Sequence, residues 1–336
     1  MCYPNGTDRS FALFVVDPLR PWLAKADATR FNALASSTRR NVNTQLRAFL
    51  LFCAYYFLQP FPVHDELLIS YIQYLSENFR AVGSVKNYVF GLQTFSLLKG
   101  WSFPDLSNPL YKFQFKGLSR QLAHTPSRAQ PISPMILESI LSCLNLEDPY
   151  HATMWGIMVL GFLLFARIGN LLPSSRSNFD KNKLLTRSDI FMAEDCVVVI
   201  LAWTKTIQLS ERTLQIPLYI NQSSKLCPKN CLLNMVSRSP GQAHDLLFTY
   251  KSSSGLKVIT QSEFTLFLRS CLRHIGLQGS IYSGHSLRRG GATWAFSKGV
   301  PGELIKHHGD WRSEAYLVYL DFSFKDKMAT TRTMLS

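Results

Sequence analysis

Apolar residues recur at helical spacing through the first third of the chain. From Ser37 onward, Val42, Leu46, Phe49, Leu50, Cys53 and Phe57 fall three and four apart, which predicts a helix with Ser36 or Ser37 as its N-cap. A second helix is predicted over 65–77, with Leu67, Leu68, Tyr71, Ile72 and Leu75 inward. A third fits 84–98, with Val85, Tyr88, Leu92 and Phe95 inward, and a fourth fits 110–123. Residues 1–35 have weak periodicity and read as a loosely structured N-terminal arm. Together these patterns predict a small all-helical domain over 36–123.

The stretch 124–133 is polar and contains Pro126 and Pro131, so it reads as a linker. Ser133-Pro134 then opens a helix with serine at the N-cap and proline at the first helical position. The second domain, 134–336, has a mixed pattern. Helices fit 134–144 and 150–165, and β-branched and aromatic residues predict a strand over 196–203. After a polar turn at 208–211, a second strand fits 213–220, weakened by Pro217. The two strands make a hairpin with Lys205 close to its tip. Helices resume over 228–236 and 261–275, and 287–320 is mostly helical with glycine breaks. The fold expected is mainly α with a small β-sheet: a helical N-terminal domain followed by a mixed α+β domain.

The chain of 336 residues carries 36 Lys+Arg against 22 Asp+Glu, a net charge of +14, and both halves share the excess. Such a balance suits a polyanionic partner, most often nucleic acid. The seven cysteines have irregular spacing, which argues for reduced thiols and against a secreted disulfide framework. Cys227 and Cys231 form the one close pair and lack a second pair at zinc-finger spacing, so no metal site is expected. The apolar run 154–166 is too short for a membrane span of about 20 residues and reads as a buried helix. The segment 11–16 is likewise too short for a signal sequence, so no targeting segment and no membrane association are expected.

Three polar signals interrupt the second domain. Arg167 ends the buried apolar run in Ala166-Arg167-Ile168-Gly169-Asn170. His285 and Arg288 stand three apart in the run 284–293. His308-Gly309-Asp310-Trp311 is followed by Tyr316 and Tyr319. Each has an ordinary structural reading taken alone: a charge at a helix C-terminus, a chance pair, a packed tyrosine. The order matters more: an arginine, a hairpin lysine, His-x-x-Arg and a C-terminal tyrosine.

In that order the sequence resembles the tyrosine recombinases of the phage-integrase superfamily, over roughly 37–320. The wording His-Ser-Leu-Arg-Arg-Gly-Gly-Ala-Thr and Gly-Asp-Trp-Arg-Ser-Glu-Ala-Tyr is most similar to eukaryotic mobile-element recombinases of the Crypton and DIRS kinds. The resemblance implies a SAM-like core-binding domain joined to an integrase-type catalytic domain. It implies Arg167 and Arg288 as the catalytic arginines, Lys205 as the hairpin lysine, His285 as the box histidine and Tyr319 as the nucleophile, with Tyr316 as the rival. Two positions depart from the family pattern. Asn170 stands where an acidic residue is usual, and Asp310 stands where histidine or tryptophan is usual. Trp311, His308 or His307 are the alternatives for that donor.

The residue types suit phosphoryl transfer. Two arginines clamp the equatorial oxygens by forked, charge-assisted hydrogen bonds. A phenol with pKa about 10 needs a proton acceptor at neutral pH, and histidine titrates there. The phosphodiester energy is stored in a 3′-phosphotyrosyl link, so neither metal nor ATP nor any other cofactor is called for. DNA contacts are expected from Arg39, Arg40, Arg47, Lys86, Lys112, Lys116 and Arg120. The resemblance further implies double-stranded DNA as partner, a homotetramer on paired sites with residues 322–336 docking on a neighbour, and a nuclear address if the mobile-element likeness holds. Alternatives are a catalytically inactive DNA-binding derivative, a type IB topoisomerase-like relaxase, and a basic helical scaffold.

Overall fold

The computed structural model describes residues 19–122, 124, 128–209, 211–320 and 324–335. The segment 11–16 and Cys2 lie outside them. The chain divides into two compact units, Met1–Pro126 and Ser127–Ser336.

The described part of the first unit is helical: α1 (Arg20–Asn32), α2 (Ser36–Tyr55), α3 (Asp65–Asn78), α4 (Val82–Leu98) and α5 (Pro109–Gln121). Phe49, Leu68, Tyr71, Ile72, Val85, Leu92 and Tyr111 are fully buried between them. The Tyr111 hydroxyl donates to Asp65 Oδ1 at 2.5 Å, which ties α5 to the start of α3.

Three local expectations need correction in this unit. Residues 20–32, read as part of a loose arm, form α1. It buries no residue of its own, hence the weak periodicity, and is held by the Arg30 Nε bond to the Leu98 carbonyl at 3.0 Å and by Phe31 against Phe95. Ser36 is the first residue of α2, and no side chain caps that helix, whose N-cap position is Ala35. The inward stripe of α2 ends on Phe52 and Cys53. Phe57, past the helix end with φ +54°, is 96% exposed.

The second unit is built around α7 (Pro149–Leu163), which is buried from Ala152 to Phe162 as the uninterrupted apolar run demands. Around it lie α6 (Pro134–Leu141), the short α8 (Ile168–Leu171), α9 (Pro228–Arg238), α10 (Gln261–His274), α11 (His285–Ser297) and α12 (Gly302–His308). A last helix, α13, spans Phe324–Met334. Ser133 caps α6 by accepting from the Ile136 N–H at 3.3 Å, with Pro134 at the first position.

An antiparallel sheet has the order β1 (Ile190–Met192), β2 (Cys196–Leu201), β3 (Leu214–Tyr219). Val197, Val199 and Leu201 of β2 and Leu214, Ile216 and Leu218 of β3 bury one face, following the two-residue period. Pro217 pairs with Val198 on the edge strand β3 and is exposed, where a missing N–H costs the sheet little. The hairpin β4 (Thr249–Ser252) and β5 (Gly255–Val258) had no sequence expectation, because neither strand alternates in burial.

The stretch 124–133 is not a linker throughout. The Gln130 N–H donates to the Ile281 carbonyl, the Ile132 N–H donates to the Ser286 carbonyl, and Ile132 is fully buried. Its last residues therefore pack as part of the second unit, because Ile132 joins the core beneath α11. No described helix is long and apolar enough to cross a membrane.

Candidate active site

Arg288 is the center of the site. It sits one turn into α11, with only 2% of its surface exposed. A guanidinium so deeply buried needs acceptors. Nη2 donates to the Gly309 carbonyl at 2.8 Å and Nη1 to the Phe165 carbonyl. The two carbonyls lie at the C-terminal ends of α12 and α7, where backbone oxygens are left without helical partners and carry partial negative charge. Nε has no partner. The close approach of α11 to α7 depends on Gly291: a Cβ there would stand 2.1 Å from the Phe162 carbonyl oxygen.

Trp311 lies flat beneath this group, with the Arg288 guanidinium carbon 3.6 Å from a ring centroid of its indole. This is a desolvated cation–π contact. Trp311 can fold back because the residue two before it is Gly309, where a Cβ would overlap the indole at 1.7 Å. Tyr319 closes the stack, its ring 5.4 Å from Trp311 and 5.6 Å from the Arg288 guanidinium carbon. The main chain of Tyr319 is fixed by Thr293 Oγ1, which donates to its carbonyl at 2.6 Å.

Arg167 is the N-cap residue of α8 and His285 the first residue of α11. Burial first, and then the like charge of Arg167, push Arg288 below the ordinary guanidinium range. His285 is exposed at the mouth of the site. Its pKa is nevertheless lowered, by partial desolvation and then by the charges of Arg288 and Arg167. Two guanidinium groups with an imidazole held toward its neutral form give the pocket an excess of positive charge, offset in part by the Asp310 carboxylate. An anion entering it would relieve the repulsion.

Tyr316 is not part of this group. It is buried in the small core of Phe165, Ala292, Ile305, Trp311 and Leu320, with its hydroxyl against Gly302. His308 faces elsewhere: its Nε2 lies 2.8 Å from the Leu163 carbonyl, an acceptor only an N–H can satisfy. Burial, chiefly, holds that imidazole below its ordinary pKa.

Lys205 is exposed, in the tight turn between Thr204 and Ile207 that follows β2. The turn is held by Asp310, only 7% exposed. The Asp310 carboxylate accepts from Thr204 Oγ1 at 2.5 Å, from Thr206 Oγ1, and from Arg212 Nη2 at 2.5 Å. Burial pushes the carboxyl up, but these three bonds outweigh it and leave its pKa below the ordinary value. Arg312 adds bonds to the Thr206 carbonyl and to Glu211.

The sequence reading missed these partners of Asp310. Their signal was the two threonines flanking Lys205. It also missed a cavity of about 450 Å³ lined by His285 and Tyr319 together with Arg128, Arg269 and Arg289. In the first unit, Arg39, Arg40, Arg47, Lys112, Lys116 and Arg120 are exposed, while Lys86 is half-buried over the Phe115 ring. Among the described residues no group of three or more His, Cys, Asp or Glu could hold a metal ion.

No family model matches the sequence. No curated protein matches it either. Solved structures do match in fold. The Tn1549 transposon integrase in complex with circular intermediate DNA superposes with a TM-score of 0.58 at 12% identity, covering 92% of this chain and 98% of that one. The XerH site-specific recombinase bound to palindromic difH substrate, a post-cleavage complex, gives 0.56 at 13% identity over 82% and 71%. The lambda integrase tetramer bound to a Holliday junction gives 0.54 at 13% identity over 90% and 77%. The chain has the fold of the tyrosine recombinases and integrases, mainly α with a small antiparallel sheet.

Proposed function

We propose that this protein is a DNA strand transferase that cuts and rejoins double-stranded DNA through Tyr319. The observation that carries the reading is the Tyr319 ring 5.6 Å from the guanidinium carbon of the buried Arg288, beside a cavity lined by Tyr319, His285 and three further arginines. The fold shared with recombinases solved on DNA supports it.

In this reading the scissile phosphate takes the place between Arg167 and Arg288. The Tyr319 oxygen forms a bond to phosphorus and the P–O5′ bond breaks. His285, neutral at pH 7 because its pKa is lowered, accepts the phenolic proton. Lys205 gives a proton to the departing 5′-oxygen. The arginines meet the negative charge that grows on the equatorial oxygens, the kind of preorganised stabilisation that contributes most to such reactions. Rejoining runs the same steps backward with another 5′-hydroxyl, so bond energy is conserved and no ATP is consumed. The tetrameric neighbour on a Holliday junction supports an assembly of four copies on two DNA sites. The wording of 284–293 and of Gly309-Asp310-Trp311 supports a eukaryotic mobile-element kind, from which a nuclear site of action follows.

The test is a covalent trap. Cells expressing the protein or its Tyr319→Phe variant are denatured, and DNA that stays attached to protein is recovered and sequenced. Protein-linked DNA from the wild type and none from the variant is expected. If neither yields an adduct while both bind DNA, the protein is a DNA-binding derivative without strand-transfer activity. Relaxation of supercoils without exchange of partners would instead mark a relaxase.

A further inference from the structure

The four residues that follow α12 grip two parts of the site in alternation. Gly309 offers its carbonyl to Arg288. Trp311 stacks on the same guanidinium. Asp310, between them, uses its buried carboxylate to hold Thr204, Thr206 and Arg212 of the β2–β3 connection. Arg312 bonds the Thr206 carbonyl and Glu211 in the same connection. Asp310 has a left-handed backbone, φ +54°, uncommon for a residue other than glycine. Such a conformation is strained in a non-glycine residue and persists where the surroundings fix it.

Lys205 lies between the two threonines that Asp310 holds, and no side-chain partner of its own fixes it among the contacts of the described residues. β2 ends at Leu201 and β3 begins at Leu214, so the strand pairing itself does not reach the Lys205 turn. We propose that Asp310 is a positioning residue that fixes the Lys205 turn to the same short segment that holds Arg288. Proton donor and phosphate clamp are thereby set in register by adjacent residues. The inference rests on the strand-transfer reading above. It also gives the departure at position 310 a role: the carboxylate holds the hairpin, and the neighbouring Trp311 takes the place beside the arginine.

The consequence is chemical. If Asp310 acts through Lys205, its loss slows only the step in which the 5′-oxygen must gain a proton. A 5′-bridging sulfur leaves as a thiolate, whose conjugate acid has a pKa near 8.5, far below that of an alcohol, and needs no such proton. The probe is therefore a nicked duplex carrying the site recovered in the covalent trap, prepared with either oxygen or sulfur at the bridging position. Single-turnover cleavage is compared for the wild type, Lys205→Ala, Asp310→Ala, Asp310→Asn and the double variant of Lys205 and Asp310.

We expect Asp310→Ala to cleave the oxygen substrate at least about tenfold more slowly, and to cleave the sulfur substrate within about threefold of wild type, as Lys205→Ala does. The double variant should be no slower than Lys205→Ala alone, since both changes act on one step. Asp310→Asn should fall between, retaining one acceptor. A defect that persists on the sulfur substrate would mean that Asp310 only supports the fold, and would overturn the proposal, as would full activity of Asp310→Ala on oxygen. If Asp310→Ala does not fold, Thr206→Val removes one bond of the clamp and carries the same comparison. Failure of the wild type to cleave either substrate overturns the strand-transfer reading itself, an outcome distinct from a wild type that cleaves and an Asp310 variant that sulfur does not rescue.

Discussion

Thr293 Oγ1 donates a 2.6 Å hydrogen bond to the carbonyl oxygen of Tyr319. The bond joins the middle of α11, which carries His285 and Arg288, to the 3-10 turn Glu314–Tyr319. It fixes the backbone from which the proposed nucleophile projects. Thr293→Val keeps the shape and removes the donor. A hydrogen bond of this kind contributes about 1 kcal/mol, so single-turnover cleavage should slow by roughly threefold to tenfold. The melting temperature should fall by about 2–4 °C. Thr293→Ser should restore both, and unchanged cleavage with a lowered melting temperature would confine the bond to a structural role.

The stack of Arg288 on Trp311 makes a second expectation. Arg288→Lys keeps the charge, but a single ammonium cannot reach the Phe165 and Gly309 carbonyls and a phosphate together. Cleavage should drop about 10²-fold or more. Trp311→Leu removes the cation–π face, which is worth about 2 kcal/mol when desolvated. Trp311→Phe should recover part of the loss in thermal melts and in cleavage.

His285 sets an acid limit. Its pKa is lowered by partial desolvation and by the charges of Arg288 and Arg167. The folded site therefore disfavours the protonated imidazole. This contribution to stability is fully present above the unfolded value of about 6.5 and is lost as pH falls from there toward the folded pKa. Arg167→Gln removes one of these two like charges and should raise the His285 pKa. Titration of the imidazole Cε1–H signal by NMR measures this directly, with His285→Gln identifying the peak. An unchanged midpoint would show that Arg167 does not act on this histidine.

The arginine-lined cavity beside Tyr319 provides a test through salt. Arg128 is exposed on its wall. If DNA backbone runs past it, Arg128→Ala should weaken binding to all sequences alike and reduce the slope of log affinity against log salt by about 0.9. Fluorescence anisotropy with a random-sequence duplex across a salt series measures it. An unchanged slope would place the DNA path elsewhere.

Much of this protein was legible in its residues. The stripe of Leu67, Leu68, Tyr71, Ile72 and Leu75 announced α3, and the unbroken apolar run announced the buried α7, because burial on one face or on all faces writes itself into hydrophobic spacing. Helix α1 and the β4–β5 hairpin left no such trace, since they bury little and so constrain composition little. The order of Arg167, Lys205, His285, Arg288 and Tyr319 was also visible.

The arrangement of those residues was not. Tyr316 and Tyr319 stand three apart, and in a 3-10 turn residues at that spacing share one face. Spacing therefore cannot tell them apart. Both rings lie near Trp311, at 6.3 and 5.4 Å, yet one is sealed under Gly302 and the other meets Arg288. Asp310 is the same lesson in reverse. In the sequence it is a departure from a pattern. In three dimensions its carboxylate meets Thr204, Thr206 and Arg212, about a hundred residues earlier. The sequence by itself determined the elements and the inventory of reactive groups, because periodicity and residue chemistry are local. The tertiary structure alone decided which groups meet, because a buried charge takes the partners that the packing of distant helices brings within hydrogen-bond reach.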